Sequence, residues 1–164
     1  MTKYIKNFTI AGILLTVVLG TVNHFVYAWT GNNYFVGLFV ATNESVWEHI
    51  KLALFPMMLI FFGGSFFLKG ANNFALAAFS AMLTVIVLIP LAFYSYTSAV
   101  GKSFLLMDIA IFILSIILAY CVAYRIFGTQ QRTLPNVFAI IGLIVIGVCF
   151  FTFTYNPPDF ILFK

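Results

Sequence analysis

The chain has 164 residues, of which 63% are hydrophobic and only 7% are charged, and its mean hydropathy is +1.11. Soluble globular proteins carry about 25% charged residues, so this composition excludes a water-soluble domain and indicates that lipid surrounds most of the chain. The net charge of +4 comes from basic residues that are scattered singly, which excludes a nucleic-acid-binding surface. Cys121 and Cys149 lie inside apolar runs and form neither a disulfide framework nor a zinc-binding motif.

Five apolar segments follow one another along the chain, each long enough to cross about 30 Å of hydrocarbon as a helix. Turn-forming sequences such as TGNN, KGANN and GTQQRTLPN separate them. We therefore predict an all-α fold, with one transmembrane domain over residues 1–164. The five predicted membrane-spanning helices cover residues 8–29, 45–68, 73–97, 104–127 and 135–155.

The segment between the first two helices, residues 31–43, carries no charge and is too short to span the membrane. Backbone that enters a bilayer without regular structure must be buried by protein or line a cavity. We predict that this segment lies in the interface or dips back into the bundle, as a shallow lid over a polar site.

The lysines and arginines predict which end of the bundle faces the cytoplasm. With the N-terminus inside and the C-terminus outside, five basic residues are cytoplasmic and three are outside, as the positive-inside rule favours. The cytoplasmic set is Lys3, Lys6, Lys69, Arg125 and Arg132, and the outer set is Lys51, Lys102 and Lys164. Aromatic belts are expected to include Tyr27, Trp29, Trp47, Tyr94 and Tyr96 on the outer side and Tyr4, Tyr120 and Tyr124 on the inner side.

In this orientation every carboxylate and both histidines fall in the outer half of the molecule. This asymmetry does not enter the choice of orientation, so it is independent evidence for one polar site that opens to the outer face. The predicted binding residues are His24, Asn43, Glu44, Ser45, Glu48, His49, Lys51 and Asp108.

The stretch TNESVWEHIK, residues 42–51, concentrates much of this polarity at the start of the second helix. Asn43 or Ser45 can cap the helix, and Ser45-x-x-Glu48 fits a capping box. Glu48 and Lys51, three residues apart, can form a pair on one helix face. His49 and the second glutamate, Glu44, need another explanation. Pro56 further removes one backbone hydrogen bond, which can kink the helix and free a carbonyl below this stretch.

Asp108 lies near the start of the fourth predicted helix, where a carboxylate requires a partner inside the bundle. The partners available are Lys51, His24 and Lys102. One interpretation is a structural tether between Asp108 and Lys51. For His24, a polar anchor at the membrane interface is the alternative to a role as a ligand.

Three chemistries fit the polar residues. His24, Glu48, His49 and Asp108 offer nitrogen and oxygen ligands suited to zinc or a similar divalent metal ion. The same residues could form a general acid–base pair, or a path for protons or cations. The four residues come from three helices, so their spacing in the sequence leaves the choice open.

Three segments, GLFVATNESVWEHIKLALFP (37–56), NHFVYAWTG (23–31) and NPPDFILF (156–163), resemble a family of small multi-pass bacterial membrane proteins of unknown function. The resemblance covers the whole chain and has NESxWEHxKL at its centre. It implies a location in the cell (cytoplasmic) membrane and implies no mechanism.

Three functions follow from these observations. The first is a membrane protein that binds or passes a small solute, an ion or a lipid headgroup through the outward-facing polar site. The second is a membrane-embedded hydrolase or transferase that acts on lipid-linked substrates, and the third is a structural or accessory subunit. The expected partners are the lipid bilayer and further subunits, as a homo-oligomer or a larger membrane complex, and no nucleic acid. Whether the protein is an enzyme is left open.

Overall fold

The computed structural model describes residues 3–68 and 70–164, and every regular element in these ranges is helical. Five of the helices are long and apolar enough to cross a membrane, which confirms the predicted fold class. Lys69, one of the five basic residues predicted to be cytoplasmic, lies outside the described residues. The elements in chain order are α1 Lys3–Trp29, α2 Tyr34–Gly37, α3 Val46–Phe67, α4 Phe74–Val100, α5 Leu105–Phe127, α6 Thr133–Tyr155 and a 3₁₀ turn Ile161–Phe163.

Local sequence accounts for several of the helix ends. The helix α1 begins at Lys3 rather than at residue 8, because no residue of KYIKN breaks a helix. The helix α4 continues to Val100 and stops at Gly101, whose φ of 81° is a left-handed conformation that glycine adopts without strain. The helix α3 starts after Ser45 and passes through Pro56 without interruption.

The helix α3 lies at the centre of the bundle. It packs against α1 and α4, α5 packs against α1 and α4, and α6 lies on the outside against α4. The inward face of α3 is completely covered at Ile50, Ala53, Leu54 and Met57. The polar residues at its beginning are therefore carried into the interior, where an unpaired charge costs several kcal/mol.

The short connections give the bundle two different ends. We call the end where α1 finishes and α3 begins the His24 end, and the opposite end, where α4 begins, the Asn73 end. At the Asn73 end, the buried Asn73 side chain donates to the Thr129 hydroxyl and the Gln130 carbonyl and accepts from the Arg132 and Asn136 nitrogens. These four bonds, 2.7–2.8 Å long, fasten the α3–α4 turn to the α5–α6 turn.

Two aromatic residues predicted for the membrane belts lie in the core instead. Tyr120 is fully buried, its hydroxyl lies 3.0 Å from the Thr16 hydroxyl, and its ring stacks on Phe61. Trp47 is 8% exposed and stacks on Phe150 of α6 with ring centroids 4.0 Å apart. A sequence gives the depth of an aromatic residue along a helix but not the face on which a neighbouring helix packs.

Candidate functional site

The stretch 42–51 divides into an inward-facing pair and a group that faces a cavity. The inward pair is Glu48 and Lys51, which are 2% and 0% exposed, with the Lys51 Nζ 2.9 Å from the Glu48 Oε2. Lys51 also donates to the carbonyl oxygens of Gly37 and Val40, at 2.9 and 3.2 Å. The three acceptors match the three N–H donors of an ammonium group. Lys51 is therefore fully satisfied within the protein.

The same pair fixes the segment 31–43. The backbone N–H and the hydroxyl of Thr42 both donate to the Glu48 carboxylate, at 2.8 and 2.9 Å. Tyr34, in the short helix α2, stacks on Tyr155 at the end of α6. The segment therefore covers Glu48 and Lys51, two residues of the predicted polar site. It does not extend over His24, Glu44, His49 and Asp108, because no residue of 31–43 lines the cavity that these four side chains border.

Only half of the predicted capping box forms. The Ser45 hydroxyl accepts from the Glu48 backbone N–H at 3.4 Å. The Glu48 side chain turns to Thr42 and Lys51, so the Ser45 backbone N–H donates to the Asn43 side chain instead, at 2.9 Å. Asn43 and Ser45 thus shape the start of α3, and neither lines the cavity.

Two histidines from different helices face one glutamate at the His24 end. The Glu44 carboxylate lies 3.4 Å from the His49 Nε2 and 4.0 Å from the His24 Nε2. His49 Nδ1 lies 2.9 Å from the Ser45 carbonyl oxygen. Because a carbonyl only accepts, His49 Nδ1 carries a proton and its Nε2 is the nitrogen left for other partners. Glu44 is 81% exposed, so this group lies at the opening of the bundle.

Asp108 bonds to a residue other than its predicted partners Lys51, His24 and Lys102. Its carboxylate accepts from the hydroxyl of Tyr96, near the end of α4, and that hydroxyl in turn accepts from the Phe104 backbone N–H at 3.1 Å. The predicted tether between Asp108 and Lys51 is wrong, because Lys51 is occupied by Glu48 and two carbonyls. The hydrogen bond from Tyr96 to Asp108 connects the end of α4 to the start of α5 across the turn between them.

A cavity of about 670 Å³ lies between α1, α3, α4 and α5 at the His24 end. We call it the end pocket. Four side chains that carry acid–base chemistry line it, namely His24, Glu44, His49 and Asp108. Most of the remaining wall is apolar, formed by residues that include Phe25, Leu52, Ile89, Phe93, Ile109 and Phe112. An apolar cavity of this size with a few polar groups has the character of a small-molecule site.

A backbone carbonyl also borders the end pocket. Proline lacks an N–H, so Pro56 leaves the Leu52 carbonyl without its usual helical donor, as the sequence predicts. Gly20 of α1 lies directly against this carbonyl, and a side chain at Gly20 would overlap it and the Phe112 ring. Glycine is therefore needed where α1 approaches α3.

The whole chain, residues 1–164, matches the sequence profile of one protein family. The chain belongs to the family of unknown function DUF6512. No curated protein and no solved structure matches it. Membership of DUF6512 agrees with the resemblance noted above for the full length of the chain, and it assigns no activity.

In this DUF6512 chain the eight predicted site residues fall into three groups. The first group lines the end pocket and consists of His24, Glu44, His49 and Asp108. The second is the internal pair Glu48 and Lys51, and the third is the capping pair Asn43 and Ser45. The structure therefore places half of the predicted site around one cavity.

The predicted set of four metal ligands does not assemble. Glu48 accepts hydrogen bonds from Thr42 and Lys51, and it is not among the residues around the end pocket. Within residues 3–68 and 70–164, no group of three or more His, Cys, Asp or Glu side chains is placed to hold a metal ion. Glu48 and His49 are consecutive residues of α3, so their side chains project about 100° apart and do not face the same site.

The sequence gives no specific signal for Phe112 and Ile109, which line the end pocket, or for Tyr96, which is not part of the lining but donates to Asp108. Phe112 and Ile109 look like any lipid-facing residue in an apolar run, and Tyr96 looks like a belt tyrosine. One signal was available for Tyr96: it precedes the α4–α5 turn and Asp108 follows it, so both lie at the His24 end. Which tyrosine turns inward depends on how α4 packs on α5.

Proposed function

We propose that this protein is a multi-pass membrane protein that binds a small solute or lipid headgroup in the end pocket. The observation that carries the proposal is the pocket itself, which combines apolar walls with two imidazoles and two carboxylates. Apolar walls contribute affinity by excluding water, and a few polar groups orient the ligand and provide specificity. In the predicted orientation the pocket faces the outside of the cell.

Binding fits the interior of the bundle better than passage of a solute through it. Below the end pocket, toward the Asn73 end, Met57, Phe61 and Tyr120 fill the centre and are each 2% exposed or less. Tyr120 lies eight residues after Phe112, or about 12 Å along α5 at about 1.5 Å per residue. The pocket is thus a recess closed by a packed core.

Native mass spectrometry in lipid nanodiscs tests the proposal. Ile109→Trp adds bulk to the pocket wall, and Ile140→Trp makes the same change on α6, away from the pocket. The two positions are matched, because Ile109 is 47% exposed and Ile140 is 50% exposed. We expect wild type and Ile140→Trp to retain the same small molecule from the membrane and Ile109→Trp to lose it. Equal retention by all three proteins, or retention by none, would contradict the proposal.

A further inference from the structure

Negative charge predominates in the lining of the end pocket. Two carboxylates, Glu44 and Asp108, belong to it, whereas no lysine or arginine among the residues that the structure describes lines the pocket. The two imidazoles face Glu44, and with one of them protonated the lining still carries net negative charge. A cationic ligand therefore finds complementary charge in the pocket, and an anionic ligand does not.

The nearby cations are engaged elsewhere. The Lys51 ammonium is held by Glu48 and two carbonyls. Lys102 lies over the ring of Phe104, with its Nζ 5.0 Å from the ring centroid. Asp108 forms none of the ion pairs found within residues 3–68 and 70–164, and its described side-chain partner is the neutral Tyr96 hydroxyl. Asp108 is partly buried in the first turn of α5, and a bound cation would supply a counter-charge that none of the described residues provides.

Two further features of the wall suit an ammonium group. The aromatic rings of Phe25, Phe93 and Phe112 line the pocket, and ring faces attract cations. His24 Nδ1 is buried and has no hydrogen-bond partner among the residues that the structure describes. In its unprotonated form this nitrogen can accept a hydrogen bond from a ligand N–H.

We propose that the ligand of the end pocket is an amine-bearing amphiphile. Its ammonium group lies at Asp108, with Glu44 and the imidazoles at the opening, and its apolar portion lies against Leu52, Ile109 and Phe112. This inference rests on the proposed function, because it requires that the pocket binds a ligand. The inference further specifies that the ligand is positively charged.

Three probes with the same alkyl chain test the charge: dodecylamine, dodecanol and dodecanoate. Their binding is measured on the full chain in nanodiscs of phosphatidylcholine, at concentrations below those at which the probes form micelles. We expect dodecylamine to bind at least about tenfold more tightly than the other two, which is the effect of one charge-assisted contact. Adding phosphatidylethanolamine to the nanodiscs distinguishes two sources of the amine: competition with dodecylamine indicates a lipid headgroup, and lack of competition indicates a free amine.

Two variants locate the ammonium group. Asp108→Asn removes the charge but keeps an acceptor for Tyr96, and Asp159→Asn is the matched control on an exposed carboxylate that pairs with Lys164. We expect Asp108→Asn to weaken dodecylamine binding roughly tenfold or more, with dodecanol binding unchanged, and Asp159→Asn to change neither.

The possible failures of the two proposals differ. If Ile109→Trp blocks all three probes but dodecanol or dodecanoate binds as tightly as dodecylamine, the assignment of charge is wrong and the pocket remains a binding site. If Asp108→Asn leaves the preference for dodecylamine intact, the ammonium group does not lie at Asp108 and the inference fails. If Ile109→Trp affects no probe, the proposed function fails as well.

Discussion

Lys51 is completely buried near the start of a membrane-spanning helix, and its environment explains how this is tolerated. Its three N–H donors have three acceptors, and the Glu48 carboxylate that balances its charge also accepts from Thr42. The pair joins α3 to the backbone of residues 37–42, which has little other regular structure. The ionisable residues of the stretch 42–51 thus have two roles: Glu48 and Lys51 stabilise the fold, while Glu44 and His49 face the end pocket.

We predict that Lys51→Met destabilises the protein by about 3–5 kcal/mol, because it leaves the Glu48 carboxylate buried without a counter-charge. The measurement is the free energy of unfolding in mixed micelles, obtained by unfolding the protein in a titration with dodecyl sulfate. The double variant Glu48→Gln with Lys51→Met removes both charges, and we expect it to regain a large part of the loss. A double variant that is no more stable than Lys51→Met would show that the uncompensated charge is not the cause.

At the level of the helices, the close approach of α1 to α3 determines the shape of the end pocket. Gly20 has no side chain, so the Leu52 carbonyl freed by Pro56 and the ring of Phe112 can lie against the backbone of α1. Gly63, also in a membrane-spanning helix, has no atom within 4 Å of the position that a Cβ would occupy. The two glycines therefore differ in environment although both look alike in the sequence.

Gly20→Ala and Gly63→Ala form a matched pair. We expect Gly20→Ala to destabilise the protein by about 1–3 kcal/mol, because the backbone carbonyl of Leu52 cannot move aside as a flexible side chain can. Gly63→Ala is expected to be neutral or to stabilise α3 by up to about 1 kcal/mol, since alanine favours helix. Thermal unfolding of both variants in the same detergent is the measurement. Equal midpoints for the two variants would show that α1 and α3 are not in close contact at Gly20.

The molecule as a whole has a closed end and an open one. At the Asn73 end, a network of side-chain and backbone hydrogen bonds joins two turns, and at the His24 end the helices separate around the end pocket. The four carboxylates and two histidines all belong to the His24 end, whereas Lys3, Lys6, Arg125 and Arg132 belong to the other. The predicted orientation, with the Asn73 end in the cytoplasm, depends only on the lysines and arginines, of which Lys51, Lys102 and Lys164 lie at the His24 end.

Cysteine labelling in intact cells tests this orientation. In a chain with Cys121 and Cys149 replaced by serine, Lys102→Cys places a thiol in the α4–α5 turn and Gln130→Cys places one in the α5–α6 turn, both at exposed positions. We expect a membrane-impermeant maleimide to label Lys102→Cys in intact cells and Gln130→Cys only after permeabilisation. The reverse pattern would invert the orientation and place the end pocket on the cytoplasmic side.

The sequence by itself determined the fold class, because so few charged residues and five apolar segments of sufficient length leave a helical membrane bundle as the stable arrangement. It also identified the stretch 42–51 as the polar centre and paired Glu48 with Lys51, since residues three apart on a helix are neighbours. Only the tertiary structure decided that Asp108 bonds to Tyr96, that Glu44 rather than Glu48 faces the two histidines, and that Tyr120 and Trp47 lie in the core. The physical reason is that these contacts depend on how each helix is rotated about its axis against its neighbours, and in a chain that is apolar on nearly every face the sequence pattern does not specify that rotation.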